Sequence, residues 1–269
     1  MASSYQRLTD SQWQISSEFL TLGKNTKYSL RDILDGILYL VRTGCQWRNL
    51  PNDFPPYRSV FYHYRKWTLT GSFELINLAL VKKDRVQAEC KETPSLICID
   101  SQSTKCGPMI SENKGIDGGK KVNGRGRTVV VDSGGRILSV HIEAANVHDG
   151  QSGINLLSKK GSSFLGGIKK ILYDGSYNGV FAQFVKDNYP DITPELSSKP
   201  PSMKGFVPLK TRWVSERTFG WLSFYRRLDK DHEKTTKSSE SMILLAHISI
   251  LFQRLTEKPA VSFDKKRFC

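Results

Sequence analysis

Residues 96–100 read Leu96-Ile97-Cys98-Ile99-Asp100. Four apolar side chains in succession leave no polar face, so the run has the character of a strand buried on both sides of a sheet. A carboxylate does not follow such residues into an apolar interior without a partner. The strand is therefore expected to stop at Asp100 and to present that side chain at the sheet's edge, facing a cleft. The pattern recurs less purely over 168–173 and closes on Asp174, with Gly175 behind it. One Asp at a strand end is ordinary turn chemistry. Two of them carry more weight when a third carboxylate follows on an amphipathic helix.

That third carboxylate lies in RWVSERTFGWLSFYRR, residues 212–227. At helical spacing Val214, Thr218, Trp221, Leu222, Tyr225 and Leu228 share one stripe, as in a helix lying on a core. Arg212, Glu216, Gly220, Ser223 and Arg227 line the opposite face, where only one carboxylate stands among small residues and guanidiniums. Taken alone, this is a solvated face with an Arg212–Glu216 pair worth about 0.2–0.5 kcal/mol.

The elements between and around these three fit a mixed sheet with helices on its faces. Residues 127–132 and 136–142 read as a hairpin turned by Ser133, Gly134 and Gly135. A helix is expected from Asp149 toward Leu157, with Asp149 as its N-cap in preference to a His148–Asp149 general base. A second covers 180–188 and stops before Pro190, and a weak strand follows near Ile192. The last helix, 238–255, is apolar on nearly every side and is expected to be buried or to form a subunit contact.

The front of the chain is helical. Thr9 or Asp10 caps a short helix carrying Trp13, Ile15, Phe19 and Leu20. Ser29 and Asp32 open a second helix, with Leu30, Ile33, Leu34, Ile37 and Val41 on one face until Gly44 ends it. Pro51, Pro55 and Pro56 hold 49–57 extended. A third helix resumes near Arg58, with Val60, Phe61, Tyr64 and Trp67 inward and Arg58, Arg65 and Lys66 outward, suited to lie in a DNA groove. Residues 82–91 read as a surface helix or linker. The expected division is a helical DNA-binding domain over 1–85 and an α/β catalytic domain over 86–269.

Forty Lys and Arg against 26 Asp and Glu give the 269-residue chain a net charge of +14, which points to a polyanionic partner, nucleic acid first. The longest apolar run, 242–252, is too short to cross a bilayer, and the first ten residues lack a signal-peptide segment. Cys45, Cys90, Cys98, Cys106 and Cys269 are odd in number and form no CxxC pair. They suggest a reducing cytoplasm and no structural zinc site.

Gathered carboxylates repel one another, and such a cluster either raises a pKa or recruits a divalent cation. Oxygen donors select magnesium or manganese over zinc. Two such ions, about 3.5–4 Å apart, serve phosphodiester displacement. A basic chain with this cluster is expected to cut or join nucleic acid strands.

Asp100 in ICIDSQSTK, Asp174 in ILYDGSYNG and Glu216 in RWVSERTFGWL resemble the DDE triad of bacterial insertion-sequence transposases of the insertion sequence five group. LTDSQW, ILYLVRTGCQWRNLPNDFPP and SVFYHYRKW resemble that group's amino-terminal domain. KKVNGRGR, VDSGGRI, AANVHDG and RRLDKDHE also match, so the resemblance runs from Leu8 to Leu255. It implies an RNase H-like catalytic fold and two Mg2+ ions per active site, with Mn2+ as substitute. It further implies cleavage of double-stranded DNA at terminal inverted repeats and transfer of the 3′-OH strands into target DNA by a homodimer or higher oligomer at the bacterial nucleoid.

The chain departs from the group in places. Arg212 and Glu216 fit its signature, whereas Leu209 and Ser223 occupy the outer positions held there by Tyr and Lys. Arg226 and Arg227 are the candidates for the missing positive charge. Phe224 stands where a basic residue is common, and Gly126 and Thr128 where Lys and His are. The glycine-rich, basic segment 101–127 reads as a long loop. In it Lys105, Lys120, Lys121, Arg125 and Arg127 are candidate phosphate contacts. A silent DNA-binding protein and an RNase H-like structure-selective nuclease remain as alternatives.

Overall fold

A computed structural model describes residues 5–20, 26–197 and 210–256, the side chains of 210–212 excepted. Helix α1 (Asp10–Ser17) starts in a capping box: Thr9 accepts from the Gln12 N–H while the Gln12 side chain accepts from the Thr9 N–H. Helix α2 (Leu30–Thr43) has the expected Ser29 cap and ends on Gly44 at φ 71°, a left-handed turn that a side chain would strain. Helix α3 (Tyr57–Thr70) buries Val60, His63, Tyr64 and Trp67. Phe61, expected inward, is 38% exposed, with its ring against Trp47.

Helix α4 (Ser72–Gln87) takes the helical alternative expected at 82–91 as far as Gln87 but corrects its surface placement, because its last turn buries Asp84 and Arg85. These charges enter the interior as pairs. Arg85 bonds Asp132, Arg136 bonds both Asp84 and Asp132, and Arg254 stands 3.5 Å from Asp84. The apolar core runs without a break from Leu8 to Phe252.

Strand β1 (Leu96–Lys105) does not stop at Asp100. It continues for five residues, antiparallel to its neighbour, with Asp100 opposite Val129 and Lys105 opposite Gly124. The long loop expected at 101–127 is thus largely sheet: the end of β1, the short β2 (Gly115–Asp117) and the start of β3 (Val122–Asp132). Gly124 permits this pairing, since a Cβ there would fall 1.8 Å from the Thr104 carbonyl oxygen.

The hairpin partner of β3 is β4 (Ile137–Ala144), after which come α5 (Asp149–Lys160), β5 (Lys170–Tyr173), α6 (Val180–Asn188), β6 (Thr193–Leu196), α7 (Lys210–Leu222) and α8 (Thr236–Thr256). The N-cap of α5 is His148, whose ring accepts from the Gly150 N–H, and not Asp149. Helix α7 ends at Leu222, short of the expected 227, and a single 3-10 turn (Arg226–Leu228) follows. Helix α8 is buried along most of its length against α4 and β4.

The sheet runs β2-β3-β1-β5-β6, with β4 also on β3. Strands β1, β3 and β4 are antiparallel, while β5 and β6 run parallel to β1. This antiparallel meander extended by two parallel strands, with helices against it, is the RNase H-like order. Among the described residues no helix is long and apolar enough to cross a membrane.

Candidate active site

Asp100 and Asp174 meet because β1 and β5 are parallel neighbours. Ile97 pairs with Ile171 and Cys98 with Leu172, so the same register carried two residues further sets Asp100 beside Asp174, one strand spacing apart. Backbone groups fix both carboxylates. Asp100 accepts from the Ser101 N–H at 2.8 Å, and Asp174 caps the turn that follows it by accepting from the Ser176 N–H at 2.9 Å.

Helix α7 packs over β1 on its Val214, Thr218 and Leu222 stripe, with the Thr218 hydroxyl 3.1 Å from the Gly135 carbonyl oxygen. Its other face brings an exposed Glu216 to the cleft. Asp100, Asp174 and Glu216, distant in sequence, thereby line one cleft of about 620 Å³.

The cleft holds a fourth carboxylate, Asp149, at the start of α5. Local sequence gave it a capping role that His148 in fact fills, and its place in the cleft depends on how α5 packs. Tyr177 lies beneath, fully buried, its hydroxyl bonded to Ser101. Burial drives its phenol far above the ordinary pKa. The Ser101 bond opposes that rise, and the charges of Asp100, Asp149 and Asp174 add to it. From Ser101 a hydroxyl chain continues to Thr128 at 2.8 Å and to Ser152 at 2.6 Å, tying β1, β3 and α5 together under the carboxylates.

The candidate phosphate contacts divide by burial. Lys120 lines the cleft, in a turn whose Gly119 and Lys120 N–H groups are held by Asp117 at 3.0 and 2.9 Å. Lys105, Lys121 and Arg226 are exposed, as are Arg58 and Arg65 on α3, and Lys66 is half-buried. Arg125 and Arg127 correct the expectation. Arg125 is wholly buried, bonded to Asp231, Ser239 and the Glu233 carbonyl, and Arg127 donates to the Leu228 carbonyl at 2.9 Å. Neither is accessible to a phosphate. Arg227 is likewise turned onto Glu233 at 2.6 Å. The side chain of Arg212 lies outside the described residues, as do Leu209 and the tail.

The donors facing the cleft are carboxylates, hydroxyls and an amide, with no sulfur or imidazole among the lining residues, and this set suits a hard divalent cation. Among the described residues no three His, Cys, Asp or Glu side chains are drawn tightly enough together to hold an ion. A cation bound there would draw the carboxylates inward and offset their mutual repulsion.

An RNase H-like sheet bearing one carboxylate on its first strand, another just after the parallel neighbour and a third on a later helix defines the DDE class. The family model described as transposase DDE domain matches residues 91–251, and one described as putative transposase of IS4/5 family matches residues 8–77. The chain belongs to the DDE transposase family, of the IS4/IS5 type. It is also similar to "Uncharacterized protein y4sN" of Sinorhizobium fredii (strain NBRC 101917 / NGR234), 30% identical over 80 residues, which are 28% of this chain. The matched stretch spans 64% of that relative, under two thirds of its length.

Proposed function

We propose that this protein binds the terminal inverted repeats of an insertion element, cleaves DNA at their ends and transfers the freed strands into target DNA. The observation that carries the proposal is the arrival of Asp100, Asp174 and Glu216 in one cleft from three separate elements. These three carboxylates would hold two Mg2+ ions, or Mn2+ in their place. Bound there, such ions activate an attacking oxygen and stabilise the leaving one.

The chain's own groups prepare the site. The Ser101 and Ser176 N–H groups orient Asp100 and Asp174, and Lys120 offsets phosphate charge at the rim. On the helical front, residues 1–85, Arg58, Arg65 and Lys66 hold the backbone of the element end, while residues 86–269 carry the chemistry. Water attacks the phosphodiester at the element end, and the 3′-oxygen leaves with a proton. That 3′-hydroxyl then attacks a target phosphodiester in line, displacing its 3′-oxygen. Pairing two ends requires at least two copies of the chain.

Incubation with labelled DNA carrying a candidate end and Mg2+ tests the proposal by the position of the nick. Asp100→Ala is expected to bind but not cut. Cleavage that survives this substitution, or a parent that never cuts, overturns the proposal. Joining of the labelled end into an unrelated plasmid separates transposition from plain nuclease action.

A further inference from the structure

Behind the carboxylate cleft, across the last turn of α7, lies a second cavity of about 350 Å³. Its walls include Trp221, Phe224, Tyr225 and Ile250, and two arginines stand at it, Arg42 and Arg254. Phe224 is 70% exposed, and the function proposed above gives it no role. Arg254 and Arg217 lie 4.5 and 4.6 Å over the Trp221 ring and so occupy it, and Arg42 lies 5.3 Å over the Tyr225 ring. Arg254 is partly neutralised by Asp84, whereas Arg42 is exposed and has no carboxylate partner among the described residues. Gly220 and Ser223 line the carboxylate cleft while Trp221 and Phe224 line this cavity, so one turn of chain separates the two.

We propose that this cavity binds an unpaired DNA strand next to the carboxylate cleft, one base stacking on Phe224 and its phosphate meeting Arg42. The inference rests on the nucleic-acid reading of the cleft and adds a site to it. An exposed aromatic ring beside an exposed cation is what single strands use, since every base has a flat face to stack. A paired duplex keeps those faces stacked on one another and offers only phosphate. A cavity of a few hundred cubic ångströms has room for a base.

The test compares a short duplex ending in an unpaired oligo-thymidine tail with the same duplex blunt-ended, by fluorescence anisotropy at fixed salt. The parent is expected to bind the tailed form about five- to a hundredfold more tightly, the range for one base stacked on an aromatic ring. Phe224→Ala should lose that preference and keep the parent's affinity for the blunt duplex, and Phe224→Trp should retain it. Phe224 is at the surface, so the fold is expected to survive, which circular dichroism checks. Equal affinity of the parent for both duplexes, or a preference that persists in Phe224→Ala, overturns the inference and leaves the transposase proposal intact. A parent that binds neither duplex overturns both.

Discussion

The Oδ1 of Asn77 stands 2.6 Å from the Nδ1 of His247, a contact between two fully buried side chains that joins α4 to α8. The other ring nitrogen of His247 accepts from the Ile137 N–H at 3.1 Å, so the proton resides on Nδ1 and is donated to Asn77. The Asn77 amide returns a bond to the Ile137 carbonyl at 2.8 Å. Helical front, sheet and last helix are thus pinned at one polar point inside an apolar core.

Asn77→Leu would leave a ring N–H and a carbonyl oxygen buried without partners. Each orphan costs about 1–3 kcal/mol, so a loss of about 2–6 kcal/mol in urea unfolding is expected. A variant as stable as the parent would mean that this pin does not form in solution.

His247 and His141 are expected to give stability opposite dependences on pH. Burial, with Arg254 and Arg136 nearby, pushes His247 well below its ordinary pKa. The unfolded chain then takes up a proton that the folded one refuses, so stability is complete above about pH 6.5 and declines as pH falls toward the folded value. Burial acts the same way on His141, but the bonds and charges of Glu143 and Glu240 outweigh it and raise the pKa. Its contribution is full below about pH 6.5 and lost as pH rises through the raised folded value. The stability difference between the parent and His141→Gln should therefore shrink with rising pH in a series of urea midpoints. A constant difference would show that His141 is not charged in the fold.

Patterns that are local in sequence were legible: the Ser29 and Gly44 caps of α2, the β3–β4 hairpin, the bounds of α6, and the three carriers of Asp100, Asp174 and Glu216. What escaped depends on distant partners. The continuation of β1 through Ser101, Gln102, Ser103 and Thr104 carries no apolar signal, because these polar side chains are met by the cleft and by hydroxyls such as Thr128. Arg125 resembles any basic loop residue until Asp231 and Ser239 fold over it. Asp149 looked like a cap because its place in the cleft is set by the packing of α5.

Arg125 and Arg58 are expected to respond oppositely to neutralisation. Arg125→Met strands the buried Asp231 carboxylate, and losing one partner of a buried pair costs about 3–5 kcal/mol, readable in urea unfolding. Arg58→Ala, on the exposed face of α3, should leave stability within about 0.5 kcal/mol. It should also lower by about one the slope of log affinity for DNA against log salt. An unchanged slope would remove Arg58 from the DNA interface.

Cation binding at the cleft is expected to be visible without any DNA. Asp100, Asp149, Asp174 and Glu216 face the same space yet stay ungathered, so an ion that bridges them gains only in the folded state. A ligand of that kind stabilises by about 2.7 kcal/mol at a hundred times its dissociation constant, so the thermal midpoint should climb with added Mg2+ or Mn2+. Asp174→Asn withdraws a ligand and one source of repulsion together. It should lose most of the cation-dependent rise and, with EDTA present, melt no lower than the parent. Glu216→Gln, exposed on α7, should behave alike, whereas Asp149→Asn should keep the rise but need more cation to reach it. A rise of equal size in Asp174→Asn and Glu216→Gln would place the ion somewhere other than between these carboxylates.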